Sequence, residues 1–398
     1  MNLNPQTGGP RTAAPRSRKV FFVAGEVSGD IQTAHLIEEL RRRDPHVELM
    51  GVGGSRMAAA GMSVVLDSTQ WGVIGHAASL LRAPGLLRAL HAVAAAVRRI
   101  RPQVLVLVDF PGFNLRLAQI LRTEVPILYY FPPMVSVRLG NRAASIAALG
   151  MRLLTVFPFE EAAYRAAGAN EVFIGHPAVD TVRPRHDAAV RRARLGLTEQ
   201  VPVVGLLPGS RPQEIAAHLP VMVAAATTLG RMHRDLQFVL PVPADHLRPH
   251  VDRVLDASPL PVHVTGDVYD AMAECTVLMA TSGSVTLEAA LLGVPMVVVY
   301  RLSALSWQIA LRITFTRHAS LPNLLAGREI VPELLQSAFT ARNLTAQVDH
   351  LLTSAPRRAE MAADLHRAVS RLGPPGATAR AAGELLSMLD AYDKMETP

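Results

Sequence analysis

Short unbroken apolar runs, each followed by a helix-length stretch, recur along this chain, and that alternation limits the folds open to it. "KVFFVAG" (19–25), "VELMGVGG" (47–54), "QVLVLVDF" (103–110), "PILYYF" (126–131), "LLTVF" (153–157) and "EVFIG" (171–175) form a first series. None has the polar alternation of a half-exposed strand. Each reads as a strand buried on both faces, and such strands belong to parallel sheets covered by helices. A polar, strand-free stretch at 181–200 reads as a hinge. The series then restarts with "PVVGLLPGS" (202–210), "LQFVLPVP" (236–243), "VHVTG" (262–266), "TVLMAT" (276–281) and "VPMVVVY" (294–300). The pattern predicts an α/β chain of two doubly wound domains facing one cleft, with ligands at the carboxyl ends of the strands.

Composition narrows the classes. A chain of 398 residues, 49% hydrophobic and 18% charged, has material for two or three sizeable cores. The longest apolar runs, 289–299 and 104–108, fall short of the ~20 residues that span a bilayer, so no transmembrane segment is predicted. The single cysteine, Cys275, excludes an intrachain disulfide framework and a cysteine-based zinc site, in keeping with a reducing, cytosolic setting. Residues 1–18 are rich in Pro, Gly, Thr and Arg without a hydrophobic period, and read as a disordered basic tail, not a signal peptide. The net charge of +7 suits nucleic acid, anionic membranes or phosphorylated substrates. Most of it is arginine spread along the chain, and aromatics are only 5%. Without stacking platforms in a basic groove, a single-strand nucleic-acid binder is not expected.

Four stretches carry candidate chemistry. "GEVSGD" (25–30) follows the first strand: Gly25 and Gly29 permit a tight turn, and Ser28 or Asp30 is suited to cap the next helix. Its backbone amides equally suit a substrate, but the glycine spacing is not the dinucleotide fingerprint. In "VDFPGFN" (108–114), Asp109 ends a buried strand, where partial desolvation would raise its pKa and make it a better base; capping the next helix is the alternative. "LPGSRPQE" (207–214) offers Gly209, Ser210 and Arg211 at a helix start, an anion site if the guanidinium pairs with phosphate oxygens. It lacks the Lys-Ser/Thr of a nucleotide-hydrolysing loop. "ATSGSVTLEAALLGVP" (280–295) presents Ser282, Gly283 and Ser284 at another helix start, with Glu288 one turn on, suited to a ribose diol or to solvent. "SLPNLLAGRE" (320–329) holds Asn323, Arg328 and Glu329; a loop with one amide and a buried ion pair accounts for it. Two basic amphipathic segments, 79–101 and 303–317, suit either a headgroup layer or packing on their own domain.

Together, and in this order, "AGEVSGD", "GVGGSRMAAAG", "VDFPGFN", "FPFEEAAY", "FIGHPAVD", "LLPGSRPQEI", "TSGSVTLEAALLGVPMVVVYR" and "SLPNLLAGREIVPELLQ" resemble the lipid-A-disaccharide synthase family, from about residue 19 to 336. The resemblance implies an inverting glycosyltransferase of the two-domain GT-B fold. It joins UDP-2,3-diacylglucosamine to 2,3-diacylglucosamine 1-phosphate and releases UDP, with neither cofactor nor metal. It implies an acceptor domain at 19–182, a UDP-sugar domain at 183–370, and a helix in 371–398 packing back on the first domain. Asp109 would be the general base. Gly209, Ser210 and Arg211 would meet the diphosphate with Ser282, Gly283 and Ser284, and Glu288 would face the ribose. Asn323 and Arg328 would have a binding role; Gly25, Ser28, Asp30 and Arg138 would lie on the acceptor side. Acylated substrates imply peripheral attachment to the anionic inner leaflet from the cytoplasm, and a homodimer is compatible with the resemblance.

The chain departs from the family pattern in three places. "FPPMVSVR" (131–138) keeps Pro132 and Arg138 but lacks two tryptophans, Ala78 stands for a glutamate in "IGHAAS" (74–79), and Gly112 stands for a second acid. All three fall in the first domain, which implies a kept donor half facing an altered acceptor half. A catalytically altered or inactive paralogue that binds UDP-sugar or lipid, and a UDP-sugar epimerase-like enzyme, are the competing readings.

Overall fold

The computed structural model describes residues 18–25, 27–67, 84–135, 141–198, 200–303, 307–308 and 318–396. The first sheet comprises β1 (Lys19–Ala24), β2 (Glu48–Gly53), β3 (Ser63–Asp67), β4 (Val104–Val108), β5 (Ile127–Tyr130), β6 (Arg152–Thr155) and β7 (Asn170–Phe173), in the order β3-β2-β1-β4-β5-β6-β7. The second comprises β8 (Val203–Leu207), β9 (Gln237–Pro241), β10 (His263–Thr265), β11 (Val277–Thr281), β12 (Met296–Tyr300) and β13 (Glu333–Leu335), in the order β10-β9-β8-β11-β12-β13. The described pairings are all parallel. The fold is therefore α/β with two doubly wound sheets.

Every apolar run read as a strand is one, with bounds shifted by one to three residues at its ends. The two strands without such a run, β3 and β13, each lie at one edge of their sheet. Val64 in β3 is 38% exposed, and β13 is three residues of intermediate burial. An edge strand need not be apolar throughout. The central strands β4, β8 and β11 are buried at every position. Strand order reverses between β1 and β4 and again between β8 and β11. Such reversals open a crevice at the carboxyl ends of the two strands, since the connections leave toward opposite faces.

Helix Pro212–Met232 has the length and mean hydropathy to cross a membrane. It nevertheless buries Ile215, Leu219, Met222, Ala225, Ala226 and Leu229 in the core of the second domain. Such a helix follows from a doubly wound sheet, whose covering helices need broad apolar faces.

The chain crosses between the domains twice. At the first crossing the His176 N–H donates to the Leu372 carbonyl (2.9 Å). Gly175 and Gly373 both have positive φ, and a Cβ on Gly373 would stand 3.2 Å from the Gly175 Cα. The two passes therefore touch backbone to backbone. Asp180 accepts from the Gly376 and Ala377 N–H groups (2.8 and 3.1 Å), holding the start of helix Ala377–Glu396. That helix lies on the first domain, where Arg18 pairs with Asp390 and Asp393 and Arg152 with Glu384. The polar stretch after the first crossing is fastened to the second domain: Arg191 and Arg192 both pair with Glu274, and His186 with Asp270. The tail at 1–17 lies outside the described residues.

Candidate active site

In the first domain the crevice is bordered by the ends of β1 and β4. Asp109 follows β4 and is half-buried, with a left-handed backbone (φ 46°), as has the next residue, Phe110 (φ 48°). Helix Pro111–Leu121 starts on Phe110 without a side-chain cap. The N-cap position of that helix thus falls on Phe110, one residue past Asp109. Gly112 sits exposed in the same first turn.

Asp30 takes a different part from the one expected of it. Helix Val27–Arg43 begins early enough to put Asp30 inside its first turn, past the capping position. Its carboxylate reaches sideways, accepting from the N–H groups of Gly54 (2.8 Å), Arg56 (3.1 Å) and Met57 (3.2 Å). It thus caps the neighbouring helix Ser55–Ala59, and a Cβ on Gly54 would lie 2.7 Å from Asp30 Oδ2. Ser28 is exposed and Gly25 is buried against Phe110. Arg138 and the stretch 74–79 lie outside the described residues. The described part of the altered 131–138 stretch is held by the "FPFEEAAY" helix: the Val135 N–H donates to Glu160 (2.7 Å) and the Tyr164 hydroxyl to the Pro133 carbonyl (2.7 Å).

In the second domain the loops after β8 and β11 border the other crevice. Gly209 has φ 123°, and a Cβ there would meet the Glu214 side chain at 2.5 Å. Glu214 uses that space to accept from the Ser210 N–H (2.9 Å) and from Arg211 (3.1 Å). Arg211 begins helix Pro212–Met232, with its side chain 41% exposed. The loop therefore presents a guanidinium and first-turn amides, which carry the positive end of the helix dipole. Helix Ser284–Leu291 starts likewise on Gly283, with Ser284 exposed. Ser282 donates to the Ala319 carbonyl (2.7 Å), tying this loop to the "SLPNLL" segment. Burial pushes the Glu288 carboxyl up to about 7.

His218 escaped sequence reasoning, because one histidine on an apolar helix face carries no distinguishing signal. It is fully buried, 3.1 Å from the Pro208 carbonyl through Nδ1 and 3.0 Å from the Arg301 N–H through Nε2. The Arg301 donor leaves Nε2 unprotonated in the neutral ring, so Nδ1 carries the hydrogen. Desolvation, outweighing its hydrogen bonds, holds its pKa below the usual histidine value.

Asn323 and Arg328 both have partners within the protein. Asn323 is fully buried. Its Oδ1 accepts from the Ile330 and Val331 N–H groups (2.7 and 3.0 Å), and its Nδ2 donates to the Val331 carbonyl (2.9 Å) and Glu333 (2.7 Å). A buried amide so fully used shapes its own turn. Arg328, half exposed, pairs with Asp364 of helix Ala355–Val369; the ion pair expected here thus ties the loop after helix Leu321–Ala326 to that helix and does not involve Glu329. Among the described residues no three His, Cys, Asp or Glu side chains assemble as a metal-ligand set.

Residues 20–383 match the family profile described as lipid-A-disaccharide synthetase. The chain belongs to the lipid-A-disaccharide synthase family. Among its relatives, the lipid-A-disaccharide synthase of Geobacter sulfurreducens is 38% identical over 375 residues, 94% of this chain and 98% of that one. The Myxococcus xanthus synthase is 38% identical over 373 residues, 93% and 97% of the two chains. Solved structures share the fold at low identity. The UDP-GlcNAc 2-epimerase of Neisseria meningitidis, bound to UDP-GlcNAc, superposes with a TM-score of 0.65 at 12% identity, over 93% of this chain and 100% of that one. Acinetobacter baumannii MurG gives 0.57 at 14%, over 93% and 99%. The two-sheet architecture is thus the GT-B fold, and membership of the family makes the chain a hexosyltransferase of lipid A disaccharide synthesis.

Proposed function

We propose that the chain transfers a 2,3-diacylglucosaminyl unit from its UDP derivative to 2,3-diacylglucosamine 1-phosphate, with inversion and release of UDP. In this reading Asp109 takes the proton of an acceptor hydroxyl as that oxygen attacks the anomeric carbon. The bond to the diphosphate breaks on the opposite side and its electrons leave with UDP. Arg211 and the N-terminal amides of helix Ser284–Leu291 meet the charge that develops there, while Glu288 accepts from the ribose. The observation that carries the reading is the position of Asp109. It stands at the switch point of one sheet, and the two small-residue loops stand at that of the other.

The lipid nature of both substrates supports attachment at the anionic cytoplasmic leaflet of the inner membrane. Helix Pro84–Ile100 packs Leu86, Leu90, Val93 and Val97 into its own domain but leaves Leu87 48% exposed beside an exposed Arg88. The second amphipathic segment, at 303–317, falls mostly outside the described residues.

Single-turnover UDP release, with both lipid substrates present, tests the assignment of the base. Asp109→Ala should slow it at least 100-fold while UDP affinity stays within twofold. Turnover at the unmodified rate would remove Asp109 from the chemistry.

A further inference from the structure

Asp109 and Phe110 are two consecutive non-glycine residues in the left-handed region, at φ 46° and 48°. That conformation is costly for residues with a Cβ and persists only where the surroundings over-determine it. The surroundings are specific. The buried Asn114 donates through Nδ2 to the carbonyls of Asp109 (2.8 Å) and Val108 (3.1 Å). The buried Tyr129 hydroxyl donates to the same Asp109 carbonyl (2.7 Å). On the amide side, the Asp109 N–H donates to the Tyr130 carbonyl (3.1 Å).

Phe110 is held as firmly. Its ring stacks on Phe113 at 5.6 Å and fills the space where Gly25 lacks a side chain; a Cβ there would stand 2.3 Å from it. The β1 end and the β4 end, the two sides of the first crevice, are thereby locked together.

We propose that Asn114 and Tyr129 are positioning residues for the reaction, which hold the strained Asp109 peptide so that its carboxylate faces the acceptor hydroxyl. The proposal rests on the reading of Asp109 as the base. Two donors fill both lone pairs of one carbonyl and so fix the plane of the Asp109 peptide. Each comes from a different element, Asn114 from the helix after the turn and Tyr129 from β5. Burial first, and the Asp109 charge second, hold the Tyr129 hydroxyl well above its ordinary pKa, so it remains a donor throughout the working range. The small residue at 25 has the same purpose: it admits the ring that keeps Phe110 from relaxing.

The test compares Tyr129→Phe, Asp109→Asn and the double variant in the full-length protein, reading kcat, donor KM, UDP affinity and Tm. Tyr129→Phe removes one oxygen and leaves the carbonyl its bond from Asn114. It should lower kcat about tenfold with donor KM and UDP affinity within twofold, and the loss should disappear in the Asp109→Asn background. A merely structural role would lower Tm without this split between kcat and KM. Unchanged kcat, or an equal loss in the Asp109→Asn background, would overturn the proposal while leaving the base in place. Asp109→Asn with near-normal kcat would instead overturn the reading of the base itself. Should Tyr129→Phe fold poorly, Phe110→Leu probes the same lock from the Gly25 side, with the same outcomes.

Discussion

The Nε2 of His218 accepts the Arg301 N–H at 3.0 Å while its Nδ1 donates to the Pro208 carbonyl at 3.1 Å, so one buried ring joins the ends of β12 and β8. Nδ1 also lies 3.5 Å from the Thr281 hydroxyl, at the end of β11. The ring stacks on Tyr300 at 5.4 Å. His218→Phe should keep the stacking but leave a buried donor and acceptor unmade, at about 1–3 kcal/mol each. The expected outcome is a lower Tm and UDP binding weakened about tenfold, with acceptor KM unchanged; calorimetry with UDP checks it.

Arg211 carries the positive charge assigned to the diphosphate. A charge-assisted hydrogen bond contributes about 1.5–3 kcal/mol, so Arg211→Ala should weaken UDP binding about 10–100-fold. Arg211→Lys should recover part of it, since a point charge lacks the two-pronged geometry of guanidinium. Titration with UDP distinguishes the three proteins.

Glu288 has a carboxyl pushed up to about 7 by burial. The folded protein therefore binds its proton more tightly than the unfolded chain does. The associated stability is fully present below the unfolded value, near 4.5, and is lost as pH rises through about 7. Glu288→Gln should raise Tm at pH 8 and leave it unchanged at pH 4, with UDP binding weakened at both. Thermal melts across that range give the sign directly.

His176, at the crossing between domains, has its pKa lowered to about 4 by burial. The unfolded chain takes up the proton near pH 6.5 and the folded protein only near 4, so stability falls as pH drops through that interval. At about 1.4 kcal/mol per unit the full effect is about 3 kcal/mol. His176→Gln should flatten the acid limb of Tm between those limits.

The doubly wound architecture was legible because fully buried parallel strands cannot alternate with polar residues. Of the four edge strands β7 and β10 were legible and β3 and β13 were not, since one open side relaxes the demand for an unbroken apolar run. The loops after β1, β4, β8 and β11 were found for a related reason: a small-residue turn must follow a buried strand where the chain enters a helix at close quarters. What each side chain does inside such a loop is set by neighbours distant in sequence. Asp30 serves Gly54, Arg56 and Met57, and Asn323 serves Ile330 and Val331. His218 and Tyr129 were invisible for the same reason, as their partners lie on other strands.

The most direct test is mass spectrometry of the reaction of the full chain with UDP-2,3-diacylglucosamine and 2,3-diacylglucosamine 1-phosphate. The account predicts a tetraacylated disaccharide 1-phosphate formed in equal amount to UDP, and neither with the Asp109→Ala protein. UDP release without the disaccharide, or no release from folded protein that binds UDP, would contradict it.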